Sequence, residues 1–215
     1  MPCRSNRAAG GNAAGKAMTT NDENPNSNTS KKKIVGWVAI GLAALIVLAL
    51  AGGFLMPRHR VVSRSTEIAA PPSDVFPLVG DLRQFNEWSP WFERDPQATY
   101  TFTGPTDGVG QTFHWMSETP DVGSGSMTIT AIEPGEEVAI AVEFADQGTA
   151  ETSLAVAAKG AGSVVTWDFS TDLGLNPIAR YFGASIDEAV GADFEHGLAK
   201  LKALAEAPPE TPDGE

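Results

Sequence analysis

Hydrophobic and polar positions follow different rhythms in different parts of this chain, and each rhythm predicts a different element. Ile34–Met56, IVGWVAIGLAALIVLALAGGFLM, has no polar rhythm at all, with 23 residues and no charge. As a helix it would be roughly 34 Å long at 1.5 Å per residue, enough to cross a hydrocarbon core of about 30 Å. Between Tyr100 and Phe169 the period is two. Tyr100 and Phe102, Phe113 and Trp115, Met127, Ile129 and Ala131, Val138 to Phe144, Thr152 to Val156, and Val165 to Phe169 each alternate with polar or small residues. That pattern predicts strands covered on one face and wet on the other. Near the end the period becomes helical. Ile186, Val190, Phe194, Leu198, Leu201 and Ala205 recur at threes and fours, an apolar stripe on a helix of about 20 residues starting after Gly183.

Punctuation between these runs supplies the remaining elements. Val61–Ala69 reads as a first strand with Val62, Arg64, Thr66 and Ile68 on one face, and Pro71-Pro72 ends it. Ser73–Gly80 predicts a short helix that Pro77 discourages from lengthening. Asp81 can cap a second over Leu82–Trp88, before the break at Ser89-Pro90. Gly104–Gly110, Asp121–Gly125, Glu133–Glu136 and Lys159–Gly162 are turn stretches in an antiparallel meander. Asn176 is a good N-cap, Pro177 suits the first helical position, and Gly197 leaves room for a strand to approach the long helix. The order is strand, two short helices, six strands and a long helix. One sheet curled around one helix satisfies it, an α+β architecture.

The apolar run organises everything around it. Lys31, Lys32 and Lys33 stand before it and Arg58 and Arg60 after it, with Trp37 one turn inside, as headgroup-level cations and an interfacial ring would. A buried core helix would show a polar face. Ala49-Leu50-Ala51 would suit a signal peptidase, but the hydrophilic segment before the run is long and the run continues past that motif. A retained single-pass transmembrane helix is therefore expected. The lysine bias directs the N-terminus to the cytoplasm and the large domain outside it. The expected organisation is a disordered tail over 1–33, the transmembrane helix over 34–56, a short linker over 57–60, one domain over 61–206, and a second disordered tail over 207–215.

Charge narrows the partners. Residues 61–215 carry seven Lys/Arg against 25 Asp/Glu, net −18. Such a domain repels phosphate backbones, which excludes nucleic acid, and it repels anionic membrane surfaces. The tether alone is expected to hold it at the membrane. The only cysteine, Cys3, lies in the tail, so the domain contains no disulfide.

Several stretches together carry a resemblance. They are Ser65–Ser73 leading into Asp74-Val75-Phe76, Asp81-Leu82 with Trp88-Ser89-Pro90-Trp91, and Gly108-Val109-Gly110. Gly125–Thr130 and Asn176–Phe182 running into Phe194–Leu198 complete the set. On these, and on the element order, residues 61–206 resemble the SRPBCC superfamily of START-type lipid-transfer domains, birch-pollen-allergen-like proteins and polyketide cyclase/dehydrases. They are similar to bacterial polyketide-cyclase-like proteins, several of which begin with one membrane helix. The resemblance implies a helix-grip fold with an apolar cavity between the sheet's concave face and the long helix. It implies no single activity, because carriers, cyclases, hydrolases and ligand sensors share the frame.

Candidates to line such a cavity are Phe113, Trp115, Met127, Phe144, Trp167, Phe169, Tyr181 and Phe194; plain core packing is the alternative for each. Trp88 and Trp91 flank the proline at the expected mouth. Tyr181 and Arg180 could donate hydrogen bonds to a ligand carbonyl, as a cyclase requires, although Arg180 could equally form a surface ion pair. His114 should lie on the wet face, and His196 off the helix stripe. Glu87, Glu93 and Asp95 have no histidine or cysteine beside them in sequence, so no metal site is expected, and no cofactor is. Gly108-x-Gly110 and Gly123-x-Gly125 sit between strands rather than before a helix, so they read as hairpin turns, not phosphate loops. The leading expectation is a membrane-tethered domain binding a hydrophobic small molecule or lipid without chemistry. A cyclase/dehydrase-like enzyme and a protein-interaction module are the alternatives.

Overall fold

The computed structural model describes residues 26–145 and 148–208. The tail containing Cys3 and the last seven residues lie outside that range. The chain forms two compact units, Met1–Ile46 and Val47–Glu215. In the first, the described residues belong to helix α1 (Asn26–Leu55), which begins eight residues before the apolar run. Lys32–Leu55 of this helix is long and apolar enough to cross a membrane.

The second unit takes in the last turns of α1 and the whole domain. Strand β1 (His59–Ile68) is followed by three short helices: α2 (Pro72–Gly80), α3 (Phe85–Trp88) and α4 (Pro90–Arg94). Six strands follow: β2 (Thr99–Thr103), β3 (Thr112–Met116), β4 (Ser124–Glu133), β5 (Glu137–Phe144), β6 (Gly148–Lys159) and β7 (Gly162–Asp172). Helix α5 (Pro177–Ala205) closes the domain. The sheet is curved and wholly antiparallel, in the order β1-β7-β6-β5-β4-β3-β2. The meander is continuous from β2 to β7, and β1 returns to pair with β7. Antiparallel neighbours joined by tight turns need no crossover, and period-two patterning gives each strand one inward face. The inward residues and α5's stripe enclose one core, with Phe194, Leu198 and Leu201 each at most 2% exposed.

Four local readings need correction. Helix α5 runs through Gly183 without a break and has 29 residues, not about 20. Asn176 Oδ1 accepts from the amides of Ile178 and Ala179, and that cap starts the helix two turns before the stripe. The stretch Leu82–Trp88 is helical only over Phe85–Trp88; Asp81 Oδ1 accepts from the Arg83 amide in a turn instead. In β4 the register shifts between Ile129 and Ala131. The bulge puts Ala131 in solvent and turns Ile132 toward the core, which strict alternation could not anticipate. Gly123 makes its turn with φ +61°, but Gly125 is inside β4, where an added Cβ would stand 2.5 Å from the Trp115 ring.

Glycines let α5 approach the sheet closely. At Gly197 a Cβ would fall 2.9 Å from Trp167 Cζ3 and 3.2 Å from Pro90 Cδ, so the bare backbone seats the Trp167 indole. At Gly191 the Arg64 guanidinium fills the corresponding space. From there Arg64 Nε donates to Glu195 at 2.8 Å, which places this inward-facing cation at the rim of the core.

Candidate functional site

Between the sheet's concave face and α5 lies a cavity of about 390 Å³. Phe113, Trp115, Met127, Phe144, Trp167, Phe169 and Phe194 all line it. Strand alternation puts the sheet residues on one face, and the helical stripe brings Phe194 down onto them. Its centre is Trp167, whose ring stacks on Phe194 at 3.9 Å between centroids with the planes 6° apart. Trp88, Trp91 and Phe85 meet the same indole edge-on at 5.2, 6.0 and 6.3 Å. The T-shaped pairs around this indole are a favoured arrangement of aromatic quadrupoles.

Several polar atoms in the wall are already engaged. Trp167 Nε1 donates to Thr152 Oγ1 at 2.9 Å, and that hydroxyl donates to the Asp168 carbonyl at 2.6 Å. Trp115 Nε1 donates to the Val122 carbonyl and Tyr100 Oη to the Asp95 carbonyl. Burial, with the Asp95 carboxylate adding to it, pushes the Tyr100 phenol up from its ordinary pKa, so it stays protonated near neutrality. Asp193 holds a bidentate pair with Arg94. Asn86, on α3, brings an amide to the wall.

Sequence patterning did not reveal Asn86, Phe85, Tyr100 or Thr152 as lining residues. Tyr100, Thr152 and Phe85 carried a signal, the first two by strand alternation and the third by its spacing between Leu82 and Trp88. Asn86 carried none, because a polar residue reads as solvent-facing unless its partner is known.

Three candidates lie elsewhere. Trp88 is not at a mouth but 1% exposed, with Nε1 donating to the Leu78 carbonyl at 3.0 Å. Ser89 caps α4 and Pro90 starts it, and this reversal turns Trp88 inward while Trp91 lines the cavity. Tyr181 is half exposed, and its hydroxyl donates to the Ala49 carbonyl at 2.7 Å. Arg180 is buried rather than on the surface. Nε and Nη2 donate to the Gly174 carbonyl, and Nη1 donates to that of Phe54 at 3.2 Å. Both residues face the end of α1, where Arg180 occupies a carbonyl left open by the helix terminus.

Glu93, Asp95, His114 and His196 find their partners outside the cavity lining. His196 sits 2.7 Å from Glu93 Oε2, and Lys200 2.9 Å from Glu93 Oε1; hydrogen bonds from these two partners hold the Glu93 carboxyl below its ordinary pKa. His114 Nε2 is 2.9 Å from Thr103 Oγ1. Asp95 accepts from Ser117 and Thr119, so it and Glu93 do not converge. Among the described residues, no three His, Cys, Asp or Glu side chains gather to hold a metal.

Comparison with known proteins decides the family. The profile described as polyketide cyclase/dehydrase and lipid transport matches residues 59–206. The chain belongs to this family. No curated protein matches the sequence. Among solved structures, protein CV1439 from Chromobacterium violaceum is similar at 16% identity, with a TM-score of 0.51 over 69% of this chain and 99% of its own. A Rhizobium leguminosarum protein is similar at 17% identity and a TM-score of 0.51, over 69% and 95% of the two chains. Ara h 8.0201 is similar at 12% identity and a TM-score of 0.50, over 68% and 97%. At these identities the likeness establishes the helix-grip fold of this polyketide cyclase/dehydrase and lipid-transport family member, and nothing finer.

Proposed function

We propose that this protein is a membrane-tethered carrier or sensor that binds a hydrophobic small molecule or lipid, without catalysing a reaction on it. The observation that carries this reading is the cavity of about 390 Å³ walled by aromatic rings, of which Trp167, Trp115 and Tyr100 spend their polar atoms on protein partners. A ligand there gains from burial at roughly 25 cal/mol per Å² of apolar surface and finds few groups to polarise it. Helix α1 supplies the tether, with Lys32–Leu55 as the span.

The family description also names cyclases and dehydrases, and an enzyme would need convergent acid–base groups on the cavity wall. Tyr181 and Arg180 are engaged at the end of α1, which favours binding without turnover. Native mass spectrometry of the full chain, extracted gently in detergent, tests the proposal. An apolar adduct should be released from the wild type and be depleted in Phe113→Ala, whose ring lines the cavity at 2% exposure. Conversion of that adduct on incubation would establish an enzyme. Absence of any adduct, with no uptake of an added fluorescent fatty acid, would make the domain a scaffold.

A further inference from the structure

We propose that the beginning of α5 is a membrane-docking surface, with Leu175, Ile178 and Phe182 inserted into the lipid interface beside the point where α1 emerges. The inference rests on the reading of α1 as a span. These three side chains are 73%, 55% and 68% exposed. Ile178 and Phe182 are four residues apart on one helix face, and Leu175 precedes the same turns. Scattered apolar residues on a surface need no explanation; a contiguous group does.

What marks lipid as the occupant is the other side of the same turns. Val47–Leu55 belongs to the same compact unit as the domain, and α5 is fastened to it. Tyr181 Oη donates to the Ala49 carbonyl, and Arg180 Nη1 to the Phe54 carbonyl, with the guanidinium 5.6 Å above the Phe54 ring. The fit depends on absent side chains. A Cβ at Gly52 would stand 2.5 Å from Tyr181 Oη, and one at Gly53 2.6 Å from Pro177 Cβ. Ala49 lies seven residues before Met56, the end of the apolar run, which is about 10 Å along a helix. If the run fills the hydrocarbon, a residue bonded to Ala49 is at or below the headgroups. The first turns of α5 then cannot stand clear in water, and their outward face must meet lipid. Tyrosine is at home at that depth, and an amphipathic segment settles about 5–10 Å into the boundary.

Charge sets the kind of surface. A domain of net −18 gains nothing from anionic headgroups, so the contact is apolar insertion into a zwitterionic or neutral interface. The surface also adjoins the cavity in the chain. Leu173 and Ile186, which line it, stand two residues before Leu175 and four after Phe182. A bilayer-resident lipid is therefore the ligand class that this placement favours.

The test uses the full chain in phosphatidylcholine vesicles. Ile178→Cys, Phe182→Cys and, as a control, Val109→Cys are each made in a Cys3→Ser background and labelled with an environment-sensitive fluorophore. Val109 is 58% exposed in the turn between β2 and β3, at the opposite end of the sheet by register. Brominated phosphatidylcholine should quench the probes at 178 and 182 several-fold more than that at 109, and iodide several-fold less. Probes at 178 and 182 as open to iodide as the control would overturn docking while the span stands. Probes shielded from iodide without bromine quenching would assign the patch to protein, a second copy or another chain, and also overturn it. A chain that fails to float with vesicles after an alkaline wash overturns the span and the docking with it.

Discussion

Removing the Phe194 ring tests whether the stack at the centre of the domain holds α5 to the sheet. The side chain is 2% exposed, lies flat on Trp167 at 3.9 Å and meets Phe169 edge-on at 6.4 Å. Truncation of a buried phenylalanine to alanine costs about 3–5 kcal/mol. Two features of the site pull in opposite directions. Loss of the stacked pair removes about 0.5–1.5 kcal/mol beyond its area, within that range. The ring also borders the cavity, so part of its edge has no packing partners to lose. The expected result for Phe194→Ala is a loss of about 3–4 kcal/mol, read by urea unfolding of the full chain in lipid nanodiscs with an unchanged m value. At roughly 2–4 °C per kcal/mol for a domain of this size, the melting temperature should fall by about 6–16 °C. A benzene-sized apolar additive should restore part of the loss, because dry apolar cavities take up such molecules. A loss below about 1 kcal/mol, with no response to the additive, would refute the packing described for α5.

Gly197→Ala places a methyl 2.9 Å from the Trp167 ring and 3.2 Å from Pro90. Neither buried neighbour can withdraw freely, so thermal unfolding should show a loss of about 1–3 kcal/mol, whereas a neutral result would show that α5 can slide. The Asp172 carboxyl is held far below its ordinary pKa by the Arg58 guanidinium and then by the Gly174 amide. A lowered acid contributes stability above its unfolded value and loses it as pH falls through the folded one, so this contribution starts to decline below about pH 4 and is lost progressively under stronger acid. Asp172→Asn should flatten the acid limb of the stability curve, and an unchanged limb would show that the exposed pair contributes nothing. Residues 57–208, expressed without the apolar run and held in a mild detergent that covers Leu175, Ile178 and Phe182, should unfold cooperatively, as the apolar faces of the sheet and of α5's stripe meet within the domain; a sloping, non-cooperative melt would place part of the core in α1.

Architecture was legible because it depends on which side of an element is apolar, and that is written residue by residue. Alternation at Val138, Ile140 and Val142 and the stripe through Phe194, Leu198 and Leu201 place those residues in the core, where they are at most 6% exposed. Errors arose where one residue changes the phase. The bulge after Ile129 moved Ala131 out and Ile132 in, and no composition signal marks a bulge without glycine. At Trp88 the reversal set by Ser89 and Pro90 decided the direction of the ring. The sequence shows both residues but not the angle between the helices they join.

The candidate site was half legible for a different reason. A wall residue and a core residue have the same pattern, and what separates them is whether facing side chains fill the space between. That is a difference of volumes summed over elements far apart in sequence. Phe113, Phe144, Phe169 and Phe194 could therefore be named as facing inward, while the empty 390 Å³ among them could not. Polar residues fail in the opposite sense. Tyr181 and Arg180 looked available for chemistry because their partners, the carbonyls of Ala49 and Phe54, are backbone atoms more than 120 residues away. The clue lay in Gly52-Gly53 at the end of the apolar run. Adjacent glycines there lower helix propensity by about 1 kcal/mol each relative to alanine, a cost with no return in a free helix. The return is the close seat of Pro177 and Tyr181 against them, and restoring side chains at those two positions should release α5 from α1 without disturbing the aromatic stack on Trp167.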